Sequence, residues 1–350
     1  MTRIPSGTPP APPGPRPGSA ASFQPTRDDL TSLFRLALPV AVVQVGMLLM
    51  GAVDTIMVGR VSPVDLAAVA LGNLYYFGVT VFGMGVLFAL DPVVAQAVGA
   101  ADEVAVARGV QRGVILSAVL ALLATLLLVP AAPVLAFLRQ PPEVVPVAAG
   151  YALASIPGVF PFYAFIVLRQ SLQAMGRVGP IVLTVALANV LNAFFNWILI
   201  FGNLGAPPLG AVGTGWASSL SRWCMMLILL GLAWPLLRGS VRHLRPEALR
   251  LRPLGRLLRV GAPIGGQQLL EFGVFSAAGI FMGWMGTLAM AAHQVALNLA
   301  ALTFMVPLGV AQAAAVLVGQ AVGREDPAAA RRAAARRYRE SEPPRLPARP

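Results

Sequence analysis

From residue 36 onward the chain is a succession of long apolar stretches separated by short polar ones. They fall at 36–59, 66–90, 109–130, 144–168, 180–201, 211–237, 260–286 and 288–318. About 20 apolar residues suffice for a helix to cross a ~30 Å hydrocarbon core, at about 1.5 Å per residue. Blocks such as VILSAVLALLATLLLV show no period of two, which a lipid-spanning barrel strand requires. The pattern predicts eight transmembrane helices, an all-α polytopic membrane bundle. Residues 1–30, rich in Pro, Ser, Gly and Thr, cannot bury apolar surface, so a disordered tail is expected. It is not read as a signal peptide, because its prolines precede any apolar core.

Composition supports the pattern. Of 350 residues 57% are apolar and only 11% charged, whereas a soluble domain carries roughly a quarter charged residues. That excludes a soluble enzyme of this size. The net charge of +12 comes from 26 basic residues, all arginine. With the N-terminus in the cytoplasm, 23 of them fall on the cytoplasmic side, in the two tails and the loops near 100–112, 169–179 and 238–259. Arg60 and Arg139 fall outside, and Arg222 lies within a helix. The positive-inside rule therefore predicts a multi-pass inner-membrane protein with both termini cytoplasmic. The charge reads as topology and contact with anionic lipid. Nucleic-acid binding is set aside, since the basic loops lack interleaved aromatics and a recognition module.

Little material remains for catalysis. A lone Cys224 excludes a disulfide framework and a cysteine metal site, and His243 and His293 are the only histidines. There is no HExxH, no GxSxG and no Walker loop. The reading is a non-enzyme without a cofactor, whose energy would come from an ion gradient.

The chain repeats itself at an offset of 224 residues. LFRLALPV at 33–40 aligns with LLRVGAPI at 257–264, placing Pro39 on Pro263 and Arg35 on Arg259. Gln44 meets Gln268, Ala67-Ala68 meets Ala291-Ala292, and QAVG at 96–99 meets QAVG at 320–323. Six helices precede the repeat point, so both copies enter the membrane from the same side. Parallel repeats related by an axis along the membrane normal are a secondary-transporter feature. The second copy is expected to stop after two helices. Opposite the third helix of the first copy stands RRAAARRYRESEPPRLPARP, which cannot span a bilayer, although Arg332 and Arg336 still face Arg108 and Arg112. The expected domains are the tail, a six-helix lobe over 31–237, a basic cytoplasmic loop over 238–259, a partial lobe over 260–323 and a basic, disordered tail over 324–350.

Ionisable groups at bilayer depth mark function by default. Asp54, within GAVDTIMVGR of the first helix, either exchanges a proton or pairs with Arg60 near the interface. Glu271 lies eleven residues into the seventh span, with an ion pair to Arg222 as the structural alternative. Asn189, Asn192 and Asn196 share one face of the fifth helix through their spacings of three and four. They either line a cavity or hydrogen-bond to neighbouring helices, and Asn189 leans towards structure. Arg222, in SSLSRWCMM, snorkels, pairs with a carboxylate or faces a water-filled cavity. Asp91, just before Pro92, suits a helix end, and His293 and Gln294 read as packed polar groups. Pro39 and Pro263 remove backbone hydrogen bonds and allow kinks that could serve as hinges.

These residues carry a resemblance. LALPVAVVQVGMLLMGAVDTIMVGRVSPVDLAAVALG, VVAQAVGA, ANVLNAFFNWILIFGNLGAPPLGAVGTG and MAAHQVALNLAALTFMVPLGVAQAAAVLVGQAVG resemble the multidrug and toxic compound extrusion (MATE) transporters, above all their bacterial NorM-like branch. The resemblance runs from about 33 to 331. It implies twelve helices in two six-helix lobes, exporting organic cations in exchange for H⁺ or Na⁺. By the same resemblance Asp54 is the first-helix acid that takes a proton or cation. Asn192 and Asn196 are the polar pair facing it, Glu271 is the acid of the second-lobe site, and Pro39 is the point where the first helix bends. Helices nine to twelve of the family are missing from the chain, and so is the second-lobe acid that would partner Glu271. The expected function is a drug:cation antiporter, acting as a monomer in the bilayer on small organic cations. A lipid-linked-sugar flippase of the same architecture would show several cavity arginines, where only Arg222 is expected within the membrane. A non-transporting fragment that binds cations or a partner chain is the third reading.

Overall fold

The computed structural model describes residues 27–241, 246–285 and 287–326. The expected tail before residue 27, His243 and the basic stretch from 327 onward lie outside these residues, as does the side chain of Gln294. The described residues form helices without a strand. In chain order they are α1 (Arg27–Val58), α2 (Pro63–Phe88), α3 (Leu90–Gly99), α4 (Glu103–Leu128), α5 (Ala131–Phe137), α6 (Val145–Ser155), α7 (Val159–Ala174), α8 (Gly179–Phe201), α9 (Gly210–Leu232), α10 (Trp234–Val241), α11 (Leu251–Trp284) and α12 (Thr287–Gly323).

The helix ends follow local chemistry. Ser62 caps α2, its hydroxyl accepting from the Asp65 N–H, with Pro63 at the first helical position where its missing N–H costs nothing. Asp65 also accepts from the Ala211 N–H and so holds the start of α9. Asp102 caps α4 through the Ala105 N–H. α8 stops at Gly202, whose φ of +76° is open to glycine at little cost.

Seven described helical segments are long and apolar enough to cross a membrane. Two of them join shorter helices: α2 with α3 over 63–99, and α6 with α7 over 145–174. The eighth predicted span, at 260–286, is present as α11. Gln267, Gln268 and Glu271 interrupt its middle, so length and composition alone pick out seven. One expectation is corrected. Arg169 was placed in the loop at 169–179, but the fourth span runs on to Ala174 and Arg169 is a buried residue of α7, 3% exposed. Its guanidinium donates to Gln44 Oε1 at 2.9 Å. A polar stretch can stay inside a bundle when its neighbours supply partners, and hydropathy does not see partners. The arginine asymmetry loses one residue and keeps its sign.

The apolar interior falls into clusters. One joins α1, α7, α8 and α9 to Ala313, Ala314 and Val316 of α12. Another joins α2, α3, α4 and α7 around Leu87, Leu90, Val94 and Tyr163.

The two repeats meet along a seam in which α11 packs on α2, and α12 packs on α1 and α3. Small residues set this seam. A Cβ on Gly85 would lie 2.6 Å from Gly265 Cα, and one on Gly309 would lie 2.9 Å from Ala41. The offset of 224 converts Gly85 into Gly309 and Ala41 into Gly265, so one contact is the image of the other. The two QAVG segments do the same. A Cβ on Gly99 would collide with Gln320 O, and one on Gly323 would collide with Gln96 O. Gly319 meets its own counterpart, Ala95, placing an approximate two-fold axis between them. In a bundle without a hydrophobic driving force between helices, close backbone approach of this kind supplies the packing.

Replacing Gly99 or Gly323 by valine should therefore separate α3 from α12 at a cost of about 1–3 kcal/mol. Thermal unfolding in detergent measures it. Gly51→Val, where a Cβ meets nothing within 4 Å, is the control and should leave the midpoint largely unchanged.

Candidate functional site

Three helices build the site inside the first six spans. α1 presents Asp54, α8 presents Asn192 and Asn196, and α9 presents Thr214, Ser218 and Arg222. On α9 the spacing of four places Thr214, Ser218 and Arg222 on one stripe of a helix otherwise rich in Gly, Ala and Leu. Asn196 Nδ2 donates to Asp54 Oδ1 at 2.6 Å. Ser218 Oγ donates to Asp54 Oδ2 at 3.2 Å. Asn192 is close enough to act on the carboxylate, but neither of its amide atoms makes a hydrogen bond. The guanidinium of Arg222 stacks over Tyr76 at 4.3 Å and Phe162 at 5.4 Å, and its charge reaches Asp54.

The site is under-partnered. Asn192 Oδ1 and Nδ2, Asn196 Oδ1, Thr214 Oγ1, Tyr76 Oη and Arg222 Nη1 are all buried without a hydrogen-bond partner. Buried polar atoms are normally satisfied, because each orphan costs roughly 1–3 kcal/mol. Several orphans around one carboxylate describe a pocket shaped for something else. Its oxygens (a carboxylate, two amide carbonyls and hydroxyls) are hard acceptors that suit a proton, a small cation or water.

The remaining sequence candidates separate from this cluster. Asn189 spends its amide on Gly46 O at 2.9 Å and Val185 O at 2.8 Å, tying α8 to α1. Glu271 is exposed on α11. It forms no ion pair with Arg222; among the described residues the ion pair within 4 Å is Arg108–Glu247 at 3.4 Å. Pro39 sits inside α1, which continues through it as a helix. His293 Nε2 is buried without a partner. Asp91 opens α3, and its Oδ2 accepts from Gln170 Nε2 at 2.8 Å. Sequence reasoning missed Thr214, Ser218 and Tyr76. The stripe of four on α9 was a usable signal for the first two, whereas nothing along the chain ties Tyr76 to Arg222.

The MatE family model matches residues 39–198 and 263–337. The chain belongs to the MatE family. It is 38% identical over 311 residues to the probable multidrug resistance protein NorM of Bradyrhizobium diazoefficiens, covering 87% of this chain and 66% of that protein. It is 32% identical over 304 residues to the multidrug resistance protein NorM of Vibrio cholerae, covering 86% of this chain and 66% of the relative. The chain thus spans just under two thirds of the length of these curated relatives. Among solved structures, the eukaryotic MATE transporter AtDTX14 superposes with a TM-score of 0.77 at 20% identity, covering 87% of this chain and 68% of that one. The fold is that of a MATE transporter, an all-α multi-pass membrane architecture.

The two classes of asparagine should behave oppositely on truncation. Asn189→Ala removes two satisfied bonds and should lower the unfolding midpoint, by about 0.5–2 kcal/mol in stability. Asn192→Ala removes only unpartnered atoms and should leave the midpoint unchanged or raise it. Thermal denaturation of both variants in one detergent decides this.

Proposed function

We propose that this protein exports organic cations across the inner membrane in exchange for H⁺ or Na⁺, with Asp54 as the coupling carboxylate. The observation that carries the reading is the half-buried Asp54, held by Asn196 and Ser218 among buried acceptors that have no partner of their own. Membership of the MatE family and likeness to proteins named for multidrug resistance support it. The termini lie in the cytoplasm, as arginine counting suggests. The protein works as a monomer, with Glu271 serving a cation site of the second lobe and Pro39 a hinge of α1.

Coupling follows from charge. An ionised Asp54 attracts a cationic compound or the coupling ion, and a neutralised one releases the compound. Arg222, fixed beside Tyr76, keeps the neutralised pocket electropositive and so favours departure of a cation. Each ligand shifts the equilibrium between inward- and outward-open states only by its difference in affinity for the two, and the coupling is reciprocal. Asn192 and Thr214 supply unpartnered atoms that the coupling ion or a water would engage.

The test is efflux of a fluorescent organic cation from vesicles holding the full-length protein, driven in turn by a proton and by a sodium gradient. Asp54→Asn should abolish gradient-driven efflux, and Asn196→Ala should slow it roughly tenfold, within the usual 1–3 kcal/mol of coupling. Undiminished efflux by Asp54→Asn overturns the mechanism.

A further inference from the structure

A second buried polar centre lies in the same six spans, away from Asp54. Arg169 Nη1 donates to Gln44 Oε1, and Gln44 is ten residues before Asp54 on α1, about 15 Å along the helix. The next residue of α7, Gln170, donates from Nε2 to Asp91 Oδ2 at 2.8 Å. Arg169 and Gln170 are 3% and 1% exposed. Asp91 Oδ1 and Gln170 Oε1 are both buried without a partner. No Asp91–Arg169 contact within 4 Å is present, so the carboxylate lacks a direct ion pair.

This pattern has a specific chemical meaning. A carboxylic acid and a primary amide pair in a ring, with the amide N–H donating to one carboxyl oxygen and the carboxyl O–H donating to the amide oxygen. One leg exists between Gln170 Nε2 and Asp91 Oδ2. The other leg would join Asp91 Oδ1 and Gln170 Oε1, two buried acceptors neither of which has a donor. We infer that Asp91 is a second proton-binding site of the bundle, with Gln170 closing an acid–amide ring around the bound proton. The proton is taken from water onto Asp91 Oδ1, no other covalent bond breaks, and an unpartnered pair of oxygens becomes a hydrogen bond. The opposing charge is Arg169. Of the charged groups on α1, α2, α4, α7 and α12, it alone acts on Asp91. Arg108 and Arg112 of α4 turn to Glu247.

The site adjoins the seam between the repeats. One turn further along α7, Gln173 donates to Gln312 of α12 at 3.5 Å, and Ala174 O accepts from Gln320 Nε2 at 2.7 Å. The second repeat has no twin of this site, because Ala315 stands where Asp91 would be. Neutralising Asp91 leaves Arg169 as the uncompensated charge at the end of α7 that holds α12, so the proton loosens the seam at the QAVG segments. The inference stands without any transport activity.

The test uses the full chain in lipid nanodiscs, titrated from alkaline to acidic pH. Infrared difference spectra should show a protonated-carboxyl C=O band that grows on acidification, is lost in Asp91→Asn and persists in Asp54→Asn. Gln170→Leu should shift the same band to higher wavenumber by removing its ring partner, which keeps the test valid if Asp91→Asn fails to fold. Amide protection factors at 96–99 and 320–323, which correct for the intrinsic pH dependence of exchange, should fall on acidification in the parent and stay flat in Asp91→Asn. A carboxyl spectrum insensitive to both Asp91→Asn and Gln170→Leu overturns the site, and seam protection factors that fall equally in parent and Asp91→Asn overturn its link to the seam. Failure of the Asp54 transport mechanism would leave these bands in place, so the two proposals fail separately.

Discussion

Lipid offers no hydrogen bonds, and this constraint governs the architecture. Every polar group carried into the bilayer must find a partner inside the protein or be reserved for a ligand. Most polar groups here find one. Asn189 binds Gly46 O, Ser219 binds Ala154 O, Tyr163 binds Thr80 O, and Gln320 binds Ala174 O. These bonds cross between helices and fix their mutual rotation. Against that satisfied background, the orphaned atoms around Asp54 stand out as the part of the interior that is not self-sufficient. Structure and site are separated by hydrogen-bond accounting more sharply than by residue type, since Asn189 and Asn192 are the same amino acid three residues apart.

The second organising feature is the repeat. An offset visible in the sequence becomes an approximate two-fold relation in space, with Ala95 and Gly319 meeting near the axis and each QAVG segment packed on the other. Small residues at these crossings let backbones approach to distances that no side chain tolerates. A seam of this kind holds by shape rather than by strong bonds.

Much of this was readable along the chain. Eight apolar stretches gave the bundle, the offset gave the pairing of halves, and Asp54 with the Asn192–Asn196 face gave the centre of the site. The misreading of Arg169 has a local cause. It was assigned to a loop because hydropathy averages over a window and treats a polar run as a boundary. α7 instead carries Arg169, Gln170 and Gln173 inside the protein, where Gln44, Asp91 and Gln312 receive them. Partners more than a hundred residues away leave no mark in a local window.

By itself the sequence determined the class of solvent, the all-helical build of the chain and the kinship of the two halves. These depend on composition and period, which are local properties of a chain. Only the tertiary structure decided which polar residues are spent and which are free. It brought Ser218 and Asn196 onto Asp54, set Arg222 over Tyr76 and turned Asn189 away. Hydrogen bonds extend only about 3 Å, so whether a buried group is satisfied depends on the rotation and spacing of packed helices, which no single helix encodes.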